Sequence, residues 1–191
     1  MRQLDPQEQK IVKAMIKYPR SSDNKIGKET RVPIRTVSRK RRRLEEEGLI
    51  QYFTNLSMNV DGTGRFGARP LYIIKFKIGI TREKIFNEIK HEPNVKTIFT
   101  ELIWNSHLAE MDGHIALVML IEGRNDAEIV ESVQSRIVPS LRKNHGKDSI
   151  VGLSTLRLHE PIRLFHNYLP SINMKNGKMT KDWPEHAIFV G

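Results

Sequence analysis

Residues 34–44 carry the chemistry that stands out. Arg35, Arg39, Lys40, Arg41, Arg42 and Arg43 fall within eleven positions, interleaved with Thr36 and Ser38. A guanidinium fork can grip a phosphate or pair bidentately with a guanine edge, and hydroxyls add short-range donors and acceptors. At about 100° per residue the segment sorts cleanly as a helix. Ile34, Val37 and Leu44 lie on one side, with Arg41 among them, and Arg35, Arg39 and Arg42 lie opposite. Thr36, Lys40 and Arg43 form one flank, and Ser38 the other. A narrow apolar stripe docks such a helix while a cationic face looks outward. The competing reading is a solvated helix held by pairs from Arg41 to Glu45, Arg42 to Glu46 and Arg43 to Glu47. Its charges run the wrong way for that purpose, because acidic residues at the C-terminal end oppose the helix dipole. The face is written for a polyanion rather than for the helix itself.

Two shorter helices must position it. Asp5-Pro6-Gln7-Glu8 has capping-box spacing with proline at the first helical position. Ile11, Val12, Met15 and Ile16 follow as an apolar stripe that Tyr18-Pro19 ends. Ser21 or Ser22 caps a second helix through Thr30, with Ile26 inward. Val32-Pro33 turns into the basic helix, expected over 33–47, and Gly48 closes it. Residues 50–54 read as the first strand of a wing. Three helices with the most basic third match a DNA-reading helix-turn-helix. Arg35, Thr36 and Arg39 are then placed toward base edges and Lys40, Arg42 and Arg43 toward phosphates, with Ser38 on the same DNA-binding helix. Ser22 offers backbone N–H groups at a helix start.

Charge distribution agrees with this division. Of the formal net charge of +10, residues 1–60 carry +7, residues 61–160 carry +1 and residues 161–191 carry +2. A cationic first third is the footprint of a polyanionic partner. The chain has no cysteine, which excludes disulfides, thiolate metal sites and cysteine nucleophiles. No apolar run reaches membrane-spanning length and no signal-type apolar segment opens the chain, so a cytoplasmic protein without membrane association is expected. Neither a nucleophile motif nor a metal-ligand motif is present; no enzymatic activity, metal or cofactor is expected.

Residues 59–69 hold three glycines without periodicity and read as a linker. Beyond it the pattern is strand 71–78, helix 81–91 (Ile85, Phe86 and Ile89 inward), strand 97–104, strand 114–122, helix 126–144 and strand 149–158. Pro139 interrupts the second of these helices. This order is that of a ferredoxin-like split βαβ sandwich. The middle strands are apolar on both faces, whereas a sheet with one solvated face alternates. A face built on Tyr72, Ile74, Phe76, Leu117 and Met119 is therefore expected to pack against a second copy, making a homodimer or an assembly of dimers. The competing cover is the chain's own tail, 161–191. His107, Glu110, Asp112 and His114 are expected in the loop between the second and third strands, as candidates for a small-molecule effector site.

Leu4-Asp5-Pro6 with Ile11-Val12, the Tyr18-Pro19-Arg20-Ser21 turn, and Thr36-Val37-Ser38-Arg39 leading to Leu44-Glu45-Glu46-Glu47-Gly48-Leu49-Ile50 resemble the Lrp/AsnC (feast/famine) regulators of prokaryotes. The resemblance covers about residues 1–160. It implies an α+β chain: a winged helix-turn-helix (1–58), a linker (59–69) and a ferredoxin-like βαββαβ oligomerisation and effector domain (70–160), beyond which this sequence carries a C-terminal extension (161–191) of unassigned role. It also implies dimers or larger assemblies on promoter or operator double-stranded DNA, with a small-molecule effector at a subunit interface. Arg41 stands where the family has an apolar residue, and the extension exceeds its usual length. Two alternatives share parts of this picture. Sirohaem-type haem-pathway decarboxylases have a similar architecture, and Arg65-Phe66-Gly67-Ala68-Arg69 is similar to a segment of theirs. A sequence-tolerant architectural DNA-binding protein would use the same charges without base readout.

Overall fold

The computed structural model describes residues 2–53, 67–90, 98–159, 161–176 and 178–190. They fall into two compact units, one made of Met1–Asn55 with Glu160–Gly191 and the other of Leu56–His159. The tail thus groups with the N-terminal helices.

In the first unit, helices α1 (Pro6–Lys17), α2 (Asp23–Thr30) and α3 (Ile34–Glu46) surround a small core of Ile11, Ala14, Met15, Ile26, Val32 and Val37. The capping box forms as its spacing predicts. Asp5 accepts from the N–H groups of Gln7 (2.9 Å) and Glu8 (3.0 Å), and Glu8 accepts from the Asp5 N–H at 2.9 Å. Ser22 caps α2, accepting from the Lys25 N–H. Arg31 ends α2 in the left-handed region at φ 58°, and Gly48 follows α3 at φ 67°. Gly27 lets α2 approach the turn into α3. A Cβ there would stand 2.9 Å from the Val32 carbonyl oxygen.

Residues 50–53 form no strand, contrary to the wing expected from 50; residues 54–66, with most of the linker, lie outside the described residues. The tail forms a small module. Its hairpin, β5 (Met174–Lys175) and β6 (Lys178–Met179), pairs Met174 with Met179 and Lys175 with Lys178. The buried Asn173 side chain donates to the Asn167 carbonyl at 2.6 Å and accepts from the Leu169 N–H at 2.7 Å. Asn167 in turn accepts from the Phe189 N–H at 2.9 Å. Because Met179 and Ile188 are the only buried apolar side chains of the tail among the described residues, these amide bonds give the module its order. Tyr168 ties it to α1, donating its hydroxyl to the Ile16 carbonyl at 2.9 Å.

The second unit is an antiparallel sheet in the order β2-β3-β1-β4, the ferredoxin-like arrangement. Its strands are β1 (Leu71–Phe76), β2 (Ile103–Met111), β3 (His114–Ile121) and β4 (Ile150–Leu156). Helices α4 (Arg82–Lys90), α5 (Ile98–Leu102), α6 (Asp126–Ser132) and α7 (Val138–His145) complete it. Tyr72, Ile74, Phe76, Leu117, Met119 and Ile121 meet Ile85, Ile129, Val133, Ile137 and Leu141 in one core. The side chain of Ile89 lies outside the described residues.

Three expectations need correction. The strand placed at 97–104 is instead helix α5 followed by the start of β2 (residue 97 lies outside the described residues). A short apolar run does not distinguish strand from helix by periodicity, and here Phe99 and Leu102, three apart, both pack on the core. The polar run 105–111 reads as loop because β2 is an edge strand with much of its surface in solvent. Second, Tyr72, Ile74, Phe76, Leu117 and Met119 do not line an open face. They are buried against the chain's own helices. The opposite face carries Leu71, Ile73, Val118 and Leu120, half-buried, and the exposed Leu156. Both faces are apolar, so composition alone could not tell which one the helices cover. Third, Phe86, expected inward beside Ile85, is exposed. Helix 126–144 is interrupted, as Pro139 predicts, by a π turn, Val133–Ile137, immediately before α7. Pro139 supplies no N–H and crowds the preceding turn, which the wider π turn absorbs.

Candidate nucleic-acid interface

Helix α3 is seated by Val37 and Leu44, both fully buried. Ile34, expected on the docking side, is 51% exposed. The outward side forms an open concavity of about 510 Å³ lined by Arg35, Ser38, Arg39, Arg42, Arg43 and Glu46. All but Glu46 are sequence-predicted DNA-binding residues, brought together along one helix. Arg35, Arg39 and Arg42 make no hydrogen bond or ion pair among the described residues. Arg43 pairs with Glu47 at 2.8 Å. Of the three expected i,i+4 pairs, those of Arg41 and Arg43 form, and that of Arg42 does not.

Thr36 is half-buried beside this face. Lys40 turns away from it and pairs with Asp5, the cap of α1. The Lys40 ammonium, with the Glu8 N–H, holds the Asp5 carboxyl down at about 2. Ser22 spends its hydroxyl on capping α2, leaving the helix start as its contribution.

Arg41 is the residue whose role the sequence left open. Its guanidinium donates to Asp23 (3.0 Å), the Ser21 carbonyl (3.2 Å), Glu45 (3.0 Å) and the Tyr52 hydroxyl (3.1 Å). Tyr52 also donates to Glu45 at 2.7 Å. One cation therefore fixes the start of α2, the body of α3 and the segment that leaves it. Arg2 does similar work at the other end, binding Glu8 and Glu47, each at 2.7 Å. Its bonds hold the Glu8 carboxyl below the ordinary range although that carboxyl is buried. No periodicity announces such cross-helix contacts; an arginine on an otherwise apolar stripe was the only signal.

The effector candidates do not form one cluster. His107 and Glu110 lie on β2, three apart and so on opposite faces. Asp112 sits in the turn at φ 53° and pairs with Lys75 at 3.0 Å. The His114 Nδ1 lies 2.7 Å from the Phe76 carbonyl oxygen. The expected loop is an edge strand and a tight turn, which spreads these side chains apart. No group of three or more His, Asp or Glu suited to a metal occurs among the described residues. Among the described residues no helix is long and apolar enough to cross a membrane.

Residues 4–51 match the family model described as winged helix-turn-helix DNA-binding. This segment is a DNA-binding domain. The span of the match takes in α1, α2 and the whole cationic helix. No curated protein matches the chain. Solved structures that resemble it include a transcriptional regulator of Neisseria meningitidis in complex with L-Met. That likeness has 11% identity and a TM-score of 0.59, covering 88% of this chain and 96% of the other. LrpC of B. subtilis is similar at 16% identity and TM-score 0.58, covering 86% and 100%. AsnC of E. coli is similar at 15% identity and TM-score 0.54, covering 84% and 96%. The DNA-binding domain and the ferredoxin-like unit together have the fold of the Lrp/AsnC regulators.

Proposed function

We propose that the chain is a sequence-specific, homo-oligomeric transcription regulator of the cytoplasm, without enzymatic activity. The observation that carries this reading is the outward face of α3, where Arg35, Arg39 and Arg42 are exposed and unpaired among the described residues. Arginines free of internal partners retain their capacity for bidentate contacts with guanine or phosphate. Arg35, Thr36, Ser38 and Arg39 lie in the N-terminal part of the helix, from which base contacts come in this motif. Arg42 and Arg43 bind the backbone. Lys40 joins them only by giving up Asp5, and Ser22 contributes through its helix start.

The second unit joins two such heads. Its sheet face of Leu71, Ile73, Val118 and Leu120 is the dimer surface in this reading, since an apolar face without alternation is costly to leave in water. A small molecule at a subunit interface would change DNA affinity by favouring one assembly. L-methionine, bound by the similar Neisseria regulator, is the first compound to try. The decarboxylase alternative gains nothing from Arg69, which is committed to Glu122 and stacks over Trp104 at 4.6 Å.

Selection from a pool of randomised duplexes tests the reading. It predicts enrichment of a pseudo-palindromic sequence, lost with Arg39→Ala. A pool that stays random while binding remains tight would establish the sequence-tolerant architectural role instead.

A further inference from the structure

We propose that the tail hairpin, Met174–Met179, is a second phosphate-binding element that grips the duplex backbone beside the site read by α3. The inference rests on the DNA-binding reading above and assigns a partner to a segment outside the helix-turn-helix.

Three observations carry it. First, the hairpin is two-faced. Met174 and Met179 face each other on the side that packs down, with Met179 buried, while Lys175 and Lys178 face each other and are exposed. Like charges directly opposite in an antiparallel pair destabilise it. Neither lysine has an acidic partner among the described residues. A hairpin that exists only to hold the tail together would not place two ammonium groups across one rung. A polyanion laid along that face removes the repulsion.

Second, the hairpin is held in place. Asn176, which follows β5, takes the left-handed conformation at φ 51°, one that asparagine tolerates. Thr180 donates its N–H to the Asn173 carbonyl at 2.7 Å, and Asn173 is locked by the bonds already described. The lysines are thus presented by a fixed scaffold, and Lys181 continues the charge beyond it.

Third, the anchor point is suited to DNA. Tyr168 bonds the Ile16 carbonyl in the last turn of α1, one of the terminal carbonyls that intrahelical bonds leave free. From Ile16 the chain runs through the exposed Arg20 to Ser22, the start of α2. In a helix-turn-helix this junction faces the phosphate backbone. The tail therefore docks at the backbone-facing corner of the DNA-binding unit.

The test compares the salt dependence of DNA binding for the full chain, Lys175→Ala/Lys178→Ala, Lys175→Arg/Lys178→Arg and Arg42→Ala on the same duplexes. Each lost phosphate contact flattens the slope of log affinity against log salt by about 0.9. The double alanine variant should therefore lose about 1.8 of slope. Its affinity should fall roughly tenfold less than that of the parent between about 50 and about 200 mM salt. Preference for one duplex over another should be unchanged, and the midpoint of thermal unfolding equal or higher. The double arginine variant should keep the parent slope. A double alanine variant matching the parent, beside an Arg42→Ala variant with a flattened slope, overturns the hairpin assignment and leaves the α3 reading intact. An arginine variant as impaired as the alanine one would show that charge is not what the hairpin contributes, and overturns it too. A parent that binds no duplex even at low salt removes both readings together.

Discussion

Arg41 on α3 reaches back 3.0 Å to Asp23 in the first turn of α2, and so sets the angle between the two helices that define the DNA-binding motif. The same guanidinium holds Glu45 and Tyr52. Its site is about three-quarters buried, so solvent screens these contacts only in part. Arg41→Ala should cost roughly 1–2 kcal/mol in urea unfolding, as charge-assisted bonds are lost and Asp23 loses its partner. In a double-mutant cycle Arg41 and Asp23 should couple by more than about 0.5 kcal/mol. Additive effects would show that the contact carries no energy.

The cap of α1 predicts an acid sensitivity. The Asp5 carboxyl sits at about 2, below its ordinary value, because Lys40 and the Glu8 N–H favour the charged form. A carboxyl lowered on folding adds stability above its unfolded value, and that stability is lost as pH falls through the folded value. Asp5 should thus contribute fully above about pH 5 and lose its contribution by about pH 2. Because Asp5 is partly exposed, the contribution is modest. Asp5→Asn should flatten the acid limb of a stability–pH curve between those values. An unchanged acid limb would contradict the Lys40 pairing.

Close approach of α2 to the turn before α3 makes Gly27 sensitive. Gly27→Ala would put a methyl group 2.9 Å from the Val32 carbonyl oxygen and 3.4 Å from the Ile34 side chain. Backbone must shift to admit it, at a cost of about 1–3 kcal/mol typical of overpacking. Thermal unfolding reads this directly, and a neutral or stabilising substitution would place the turn elsewhere.

The two sheet faces separate oligomerisation from folding. Val118→Glu on the half-buried face should break dimers in light scattering while preserving the circular dichroism of the fold. Met119→Glu, one residue away, should instead unfold the unit, because Met119 is fully buried among the chain's own helices. A Val118→Glu protein with unchanged mass would remove this face as the dimer surface.

Local rules were readable where one residue type answers one backbone need. The Asp5-Pro6-Gln7-Glu8 cap, Gly48 after α3 and the cationic face all follow from sequence spacing. Which face of an all-apolar strand meets the helices was not readable, since that depends on which side the crossovers take. The Ile98–Leu102 helix was hidden for a related reason: a short apolar run satisfies helix and strand alike. Arg41 and the Lys40–Asp5 pair required three-dimensional proximity between helices far apart in sequence. The hairpin of the extension and its place in the DNA-binding unit were not read from the sequence, because two-residue strands carry too little periodicity to stand out.

Sequence readout by α3 is what distinguishes a regulator from a general DNA binder. Equilibrium binding of the purified chain to the DNA upstream of its own gene and to a scrambled duplex, across a salt series, tests it most directly. The account predicts clear preference for the upstream duplex together with a steep fall in affinity as salt rises. Failure to bind either duplex at low salt would contradict it.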